Sequence, residues 1–204
     1  MNQKTAVKQL NTLKKLTPKT LRLAAEWPKK YQVLIATILS AQTKDETTIK
    51  ISKILFKKYP SMKALSNAKQ KTLEKIIRPV NYHKTKSKHI IATAKVLVGK
   101  KIPKTIEELI KLPGVGRKVA NVYLAEAEKA DTIGVDTHIK RISQKLGWTK
   151  NRHPHKIERD LEKIFPKKYW SSINYIVVMF GRTIGKNRRK EDEVLKKIRQ
   201  SKNL

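Results

Sequence analysis

Apolar residues recur at intervals of three and four along almost the whole chain, and no stretch alternates apolar with polar over a strand's length. Val7, Leu10, Leu13 and Leu16 mark a first helix. Leu21 and Leu23, beyond Pro18, mark a second short one that Trp27-Pro28 ends. Residues 30–42 contain Val33-Leu34-Ile35-Ala36-Thr37-Ile38-Leu39, apolar nearly all round. The length of the run and the small Ala36 and Ala41 predict a central buried helix rather than a strand. Ser40-Ala41-Gln42-Thr43 ends it in a polar lip. Asp45 is placed to cap the next helix, which runs to Tyr59 and Pro60. Two short helical pieces fill 61–80, with Leu73, Ile76 and Ile77 inward. Asn81-Tyr82-His83 reads as a loop, and Lys84 to Lys100 as an amphipathic helix with Ile90, Ile91, Ala94 and Leu97 on one face.

Ile106, Leu109, Ile110 and Leu112 continue the helical spacing up to Leu112-Pro113-Gly114-Val115-Gly116-Arg117-Lys118. Pro113 cannot continue a helix, and Gly114 and Gly116 permit the backbone angles of a tight hairpin. Val119, Val122, Tyr123 and Ala130 then resume the spacing, so the stretch reads helix, hairpin, helix. Amides bared at the start of the second helix, with the positive end of its dipole, suit a phosphate oxygen. Leu-Pro-Gly alone marks an ordinary turn between packed helices. The G-x-G spacing at a helix start, the immediate Arg117 and Lys118 and the basic chain argue for more. Further on, Gly134 breaks the pattern and Asp136 stands at an N-cap ahead of Ile139, Ile142 and Leu146. Helices over 155–165 and 168–184 follow, then a tail with Lys186-Asn187-Arg188-Arg189-Lys190 and a short helical stretch. The pattern predicts an all-α fold.

The 204 residues include 48 Lys plus Arg against 16 Asp plus Glu, a formal charge of +32. Self-repulsion of that size suits a polyanionic partner, nucleic acid first and an anionic membrane surface second. The chain has no long uncharged apolar run and no signal-peptide pattern, so a soluble, intracellular protein is expected. Cysteine is absent, which excludes disulfides, thiol catalysis and any Cys-ligated zinc or iron–sulfur site within this chain.

Lys118 and Asp136 are the pair with chemistry to offer. A neutral amine attacks an aldehydic or developing cationic carbon and forms a Schiff base, and neighbouring cations such as Arg117 favour the neutral form. A carboxylate can stabilise a cationic sugar. Both also have plainer readings, Lys118 as a phosphate contact and Asp136 as a helix cap. His138 either touches DNA or supports the helix start. His153-Pro154-His155 reads as a surface loop rather than a metal site, and Trp27, Trp148 and Trp170 as core or hinge packing.

Leu112 to Val122, followed by Val135-Asp136-Thr137-His138-Ile139-Lys140-Arg141, closely resembles the endonuclease III family of helix-hairpin-helix DNA glycosylases. Leu39-Ser40-Ala41-Gln42-Thr43 resembles that family's early motif and Gly181-Arg182 its last helix. The resemblance spans roughly residues 28–185. It implies a bifunctional glycosylase and abasic-site lyase in which Lys118 attacks C1′ of a flipped nucleotide and Asp136 activates the amine or stabilises the sugar. Gln42 falls where the family inserts a side chain into the gap, and Tyr82 is a second wedge candidate. Gly114, Gly116, Arg117 and His138 would meet DNA. The partner would be duplex DNA with a damaged base or abasic site, bound by a monomer, with no membrane and no metal.

The motif set also ranks the lesions. Adenine- and mismatch-type relatives commonly lack a Lys at this position, and oxoguanine-type relatives usually lack the full Thr-His-Ile-x-Arg form, which favours oxidised pyrimidines. An oxoguanine- or mismatch-type glycosylase, a non-catalytic DNA-binding hairpin protein and a basic RNA-associated protein are the competing readings. The resemblance further implies two lobes flanking a DNA-binding cleft. One is a helical barrel over 28–128 holding the helix-hairpin-helix at about 105–130, and the other combines 1–27 with 129–204. Many relatives end in four Cys that hold a [4Fe–4S] cluster. Here Gly185 stands about where the first would be, so no cluster is expected. Lys186, Arg188, Arg189 and Lys190 are expected to supply positive charge to DNA instead.

Overall fold

The computed structural model describes residues 1–17 and 24–200. Among them are twelve α-helices, two 3-10 turns and no strand. The helices are α1 (Gln3–Leu16), α2 (Lys30–Ser40), α3 (Asp45–Lys58), α4 (Met62–Ser66), α5 (Gln70–Ile77), α6 (His83–Leu97), α7 (Ile106–Leu109), α8 (Arg117–Ala127), α9 (Thr137–Leu146), α10 (Pro154–Ile164), α11 (Trp170–Thr183) and α12 (Arg188–Gln200). None is long and apolar enough to cross a membrane. The short helix expected around Leu21 and Leu23 lies outside the described residues.

One compact unit comprises residues 22–129. Its centre is α2, whose buried face runs unbroken from Val33 to Leu39 because α3, α6 and α8 all pack on it. α4 and α5 lie against α6. Full burial of side chains such as Leu34, Leu55 and Leu73 stabilises the unit by about 1.5–3 kcal/mol each before entropy is set against it. Trp27 and Tyr31 meet Phe56 edge-on, at 4.9 and 5.8 Å.

The other unit comprises residues 1–21 with 130–204. α11 packs on α1 and α9, and α12 packs on α9 and α1. Trp148 is buried against Phe165, and its indole N–H donates to Gln9 Oε1 at 2.6 Å.

Several local expectations need correction. Asp45 is the first residue of α3 and not its cap. Lys44 holds the cap position, and Asp45 Oδ2 accepts the Ala24 N–H at 2.8 Å. α6 ends at Leu97 and α8 at Ala127, short of the expected Lys100 and Ala130. The helix before the hairpin has only four residues, so Ile110 lies beyond it and is 47% exposed. Ile76 is half-buried. His153 and Pro154 start α10 instead of forming a loop. The tail helix, α12, is 13 residues long.

Candidate functional site

The polar lip after α2 is built from strained backbone. Gln42 and Tyr82, both exposed, adopt left-handed conformations at φ 55 and 58. For side chains of this kind that costs about 1–3 kcal/mol each, and it persists only where surrounding contacts enforce it. Asn81 supplies such contacts. Its side-chain amide donates to the Gln42 carbonyl and its backbone N–H to Thr43 Oγ1 at 3.2 Å. Lys86 supplies the rest. Its Nζ donates to the carbonyls of Leu39 (2.7 Å) and Ala41 (2.5 Å) and to Thr43 Oγ1 (3.2 Å). A cation here also meets the negative end of the α2 dipole. Burial, then the charge of Lys118, brings the Lys86 amine down to about 8.

The hairpin closes tightly. Val115 N–H donates to the Leu112 carbonyl at 3.1 Å, and Thr93 Oγ1 on α6 donates to the Pro113 carbonyl at 2.7 Å. Gly114 has φ +77, and a Cβ there would lie 2.8 Å from His89, so both backbone and packing require glycine. Gly116 differs from expectation. Its φ of −86 is ordinary, and it is the N-cap of α8. Nothing lies within 4 Å of where its Cβ would be, so the helix N-terminus stays open to an approaching group. Arg117 and Lys118 are the first two residues of that helix. Beside the hairpin lies a cavity of about 450 Å³, walled by Ala41, Tyr82, Lys86, Ile110, Gly114 and Gly116.

Asp136 and His138 belong to the other unit. Asp136 caps α9, its Oδ1 accepting the Ile139 N–H at 2.8 Å. His138 packs so closely on α11 that a Cβ on Gly181 would lie 2.2 Å from its Nδ1. Arg141 Nη2 stands 3.2 Å from the same nitrogen. A guanidinium only donates, so Nδ1 is the acceptor and the ring proton sits on Nε2. Burial depresses the His138 imidazole. Asp136 pulls it up, and the charges of Arg141, Arg182 and Arg188 push it down again.

Arg141 leads to Glu191, a fully buried carboxylate. Its Nε and Nη2 donate to Oε1 and Oε2 at 2.9 and 2.8 Å. Lys145 Nζ reaches Oε1 at 2.7 Å and Arg188 Nη1 reaches Oε2 at 3.4 Å. Burial alone would raise the Glu191 carboxyl. The hydrogen bonds and charges of Arg141 and Lys145 outweigh it and hold the carboxyl at about 2. Lys186, Arg189 and Lys190 are exposed, with Arg189 3.4 Å from Glu193. The residues present do not fit an iron–sulfur cluster. The thiolates are missing from the sequence, and a Cβ at Gly185 would lie 2.2 Å from Glu191 Oε2.

Lys86, Asn81 and Glu191 were not singled out by sequence reasoning, and Arg141 entered only as the last residue of the Thr-His-Ile-x-Arg form. Two of them carried a signal. Lys86 falls on the stripe of Ile90, Ala94 and Leu97, and Glu191 on that of Leu195 and Ile198.

Residues 35–167 match the family model described as "HhH-GPD superfamily base excision DNA repair protein". The endonuclease III of Thermotoga maritima is 43% identical over 159 residues, covering 76% of this chain and 75% of that protein. The endonuclease III of Synechocystis sp. is 40% identical over 184 residues, covering 88% and 83%. A solved endonuclease III, trapped as a covalent intermediate on DNA, superposes with a TM-score of 0.85 at 32% identity over 92% of this chain and 90% of that one.

Proposed function

Since this chain belongs to the HhH-GPD superfamily and, within it, to the endonuclease III family, it is a base excision repair glycosylase and abasic-site lyase, and we propose that it acts on oxidised pyrimidines in duplex DNA with Lys118 as its nucleophile. The observation that carries the residue assignment is the position of Lys118. It is the second residue of α8, directly behind a hairpin whose Gly114 is held left-handed and whose Gly116 leaves the helix start open. Asp136, at the N-cap of α9, is the matching carboxylate.

The target nucleotide leaves the stack before its sugar is reachable. The neutral Lys118 amine attacks C1′, the glycosidic bond breaks, and the base departs with its bonding electrons and a proton. The nitrogen lone pair of Lys118 then forms the C=N bond as the C1′–O4′ bond breaks and O4′ takes up a proton, which leaves the opened sugar joined to Lys118 as a protonated Schiff base. Loss of a C2′ proton expels the 3′ phosphate and cuts the strand by β-elimination. Asp136 stabilises the cationic sugar during base departure. The reaction runs on the chain's own groups without a cofactor.

The DNA backbone docks on the hairpin through Gly114, Gly116 and Arg117, with the dipole of α8 behind them. Gln42 and Tyr82 fill the gap left by the flipped nucleotide. His138 offers its Nε2 proton to a phosphate. Lys186, Arg188 and Arg189 add charge, and the enzyme works as a monomer where the cell keeps its DNA.

Borohydride trapping on duplexes carrying one abasic site or one oxidised pyrimidine tests this. Wild type forms a covalent adduct on both substrates. Lys118→Ala forms none, and Asp136→Asn forms it much more slowly. Tight binding without any adduct in wild type would overturn the assignment.

A further inference from the structure

We infer that Glu191 is a positioning residue for Asp136, acting through Arg141 and His138 on the start of α9. Its kinetic consequence rests on the glycosylase and lyase reading above, whereas its structural consequence does not.

A fully buried carboxylate is expensive to desolvate unless every lone pair is matched. Glu191 is matched closely. Arg141 grips it with two prongs and Lys145, one turn further along α9, reaches the same Oε1. Two donors one turn apart on a single helix fix how far α9 slides and how it rolls against α12. A Cβ at Gly185 would lie 2.2 Å from Glu191 Oε2, so a side chain there would have to displace the carboxylate.

A simple staple between α9 and α12 would need no more than these contacts. The further observation is where Arg141 spends its remaining donor capacity. Nη1 reaches the carbonyl of Thr137, the first residue of α9, at 3.5 Å, and Nη2 faces His138 Nδ1 at 3.2 Å as well as Glu191 Oε2. The imidazole is therefore clamped, by Arg141 on its nitrogen and by the bare backbone of Gly181 on its flank. His138 is the second residue of α9, and Asp136 is the N-cap whose Oδ1 is tied to Ile139. Holding the ring holds the first turn, and with it the direction in which Asp136 presents its second oxygen. Where many relatives carry a metal cluster, this chain places a carboxylate knot that reaches the proposed catalytic helix.

The test compares Glu191→Gln, Arg141→Lys and Lys145→Gln in the full chain. Two readouts are taken, the ¹⁵N shifts of the His138 imidazole and the single-turnover trapping rate with its DNA affinity. Glu191→Gln and Arg141→Lys are expected to lose the acceptor signature of His138 Nδ1. Their trapping rate should fall tenfold or more with affinity within twofold of wild type. Lys145→Gln touches Glu191 but not His138, and should keep both readouts within twofold. Glu191→Gln with an unchanged His138 signal and rate, or Lys145→Gln as damaging as Arg141→Lys, overturns the inference. If Glu191→Gln fails to fold, the other two variants decide it. If wild type forms no adduct, the functional reading fails separately, and the His138 shifts alone decide the relay.

Discussion

Lys86 Nζ lies 2.7 Å from the Leu39 carbonyl, a contact made across 47 positions of sequence by a lysine only 6% exposed. Lys86→Met takes the ammonium donor from the Leu39 carbonyl and from that of Ala41, which keeps Thr43 Oγ1 at 3.4 Å, and should lower stability by about 1–3 kcal/mol in urea unfolding at pH 7. The Lys86 amine sits at about 8 in the fold against an ordinary 10.5, so between those values the unfolded chain binds the proton more tightly. Wild-type stability should therefore gain with pH across that window, and Lys86→Met should lose this gain.

Tyr82 is 64% exposed and left-handed. Glycine adopts that conformation freely, and little burial is lost with the ring. Tyr82→Gly is expected to raise stability by about 1 kcal/mol while slowing base removal. A variant that is more stable and equally fast would exclude Tyr82 as a wedge.

Asp136 has a structural duty as a cap and a proposed chemical one, and they can be separated. Asn caps a helix about as well as Asp, whereas Ala loses roughly 0.5–2 kcal/mol. Asp136→Asn should unfold within about 1 kcal/mol of wild type yet trap DNA slowly, and Asp136→Ala should be impaired in both. Thermal melts beside trapping rates check this.

Glu191 contributes on the acid side. Its carboxyl is held at about 2, below the ordinary 4.5. The stability it supplies is thus fully present above 4.5 and lost as pH falls from there towards 2. Glu191→Gln should be weaker than wild type by about 3 kcal/mol at pH 7, since Arg141 and Lys145 lose their carboxylate. The difference should close towards pH 2 in urea titrations.

Lys186, which ends the 3-10 turn before α12, and Arg189 and Lys190, in the first turn of α12, are all exposed. Replacing all three with Gln should reduce the slope of log affinity against log salt by up to about 3 on undamaged duplex. An unchanged slope would mean that DNA lies elsewhere. Arg188 is left out of this set because it also supports Glu191.

Periodicity and capping made much of this legible. The buried centre on α2, the hairpin and the Asp136 cap all follow from local rules, because each depends on residues within a turn or two. Ile110 was misplaced because the helical spacing of Ile106, Leu109 and Leu112 continues past a helix that stops at Leu109. The left-handed backbone at Gln42 was not legible, since Asn81, which holds its carbonyl, lies 39 positions away in sequence. Lys86 and Glu191 were readable in principle as charges interrupting apolar stripes. In a chain with 48 Lys and Arg, one buried lysine is hard to tell from its solvated neighbours by composition alone.

The Arg141–Glu191 contact also bears on how the protein is made. Arg141 emerges from the ribosome 50 residues ahead of the carboxylate that will hold it, a delay of roughly 2.5–10 s at ordinary elongation rates. Throughout that interval the helix start carrying Asp136 lacks its final anchor. Its completion waits on translation alone, with no delivery of metal by an assembly machinery, and the anchor offers oxidants no thiolate to attack.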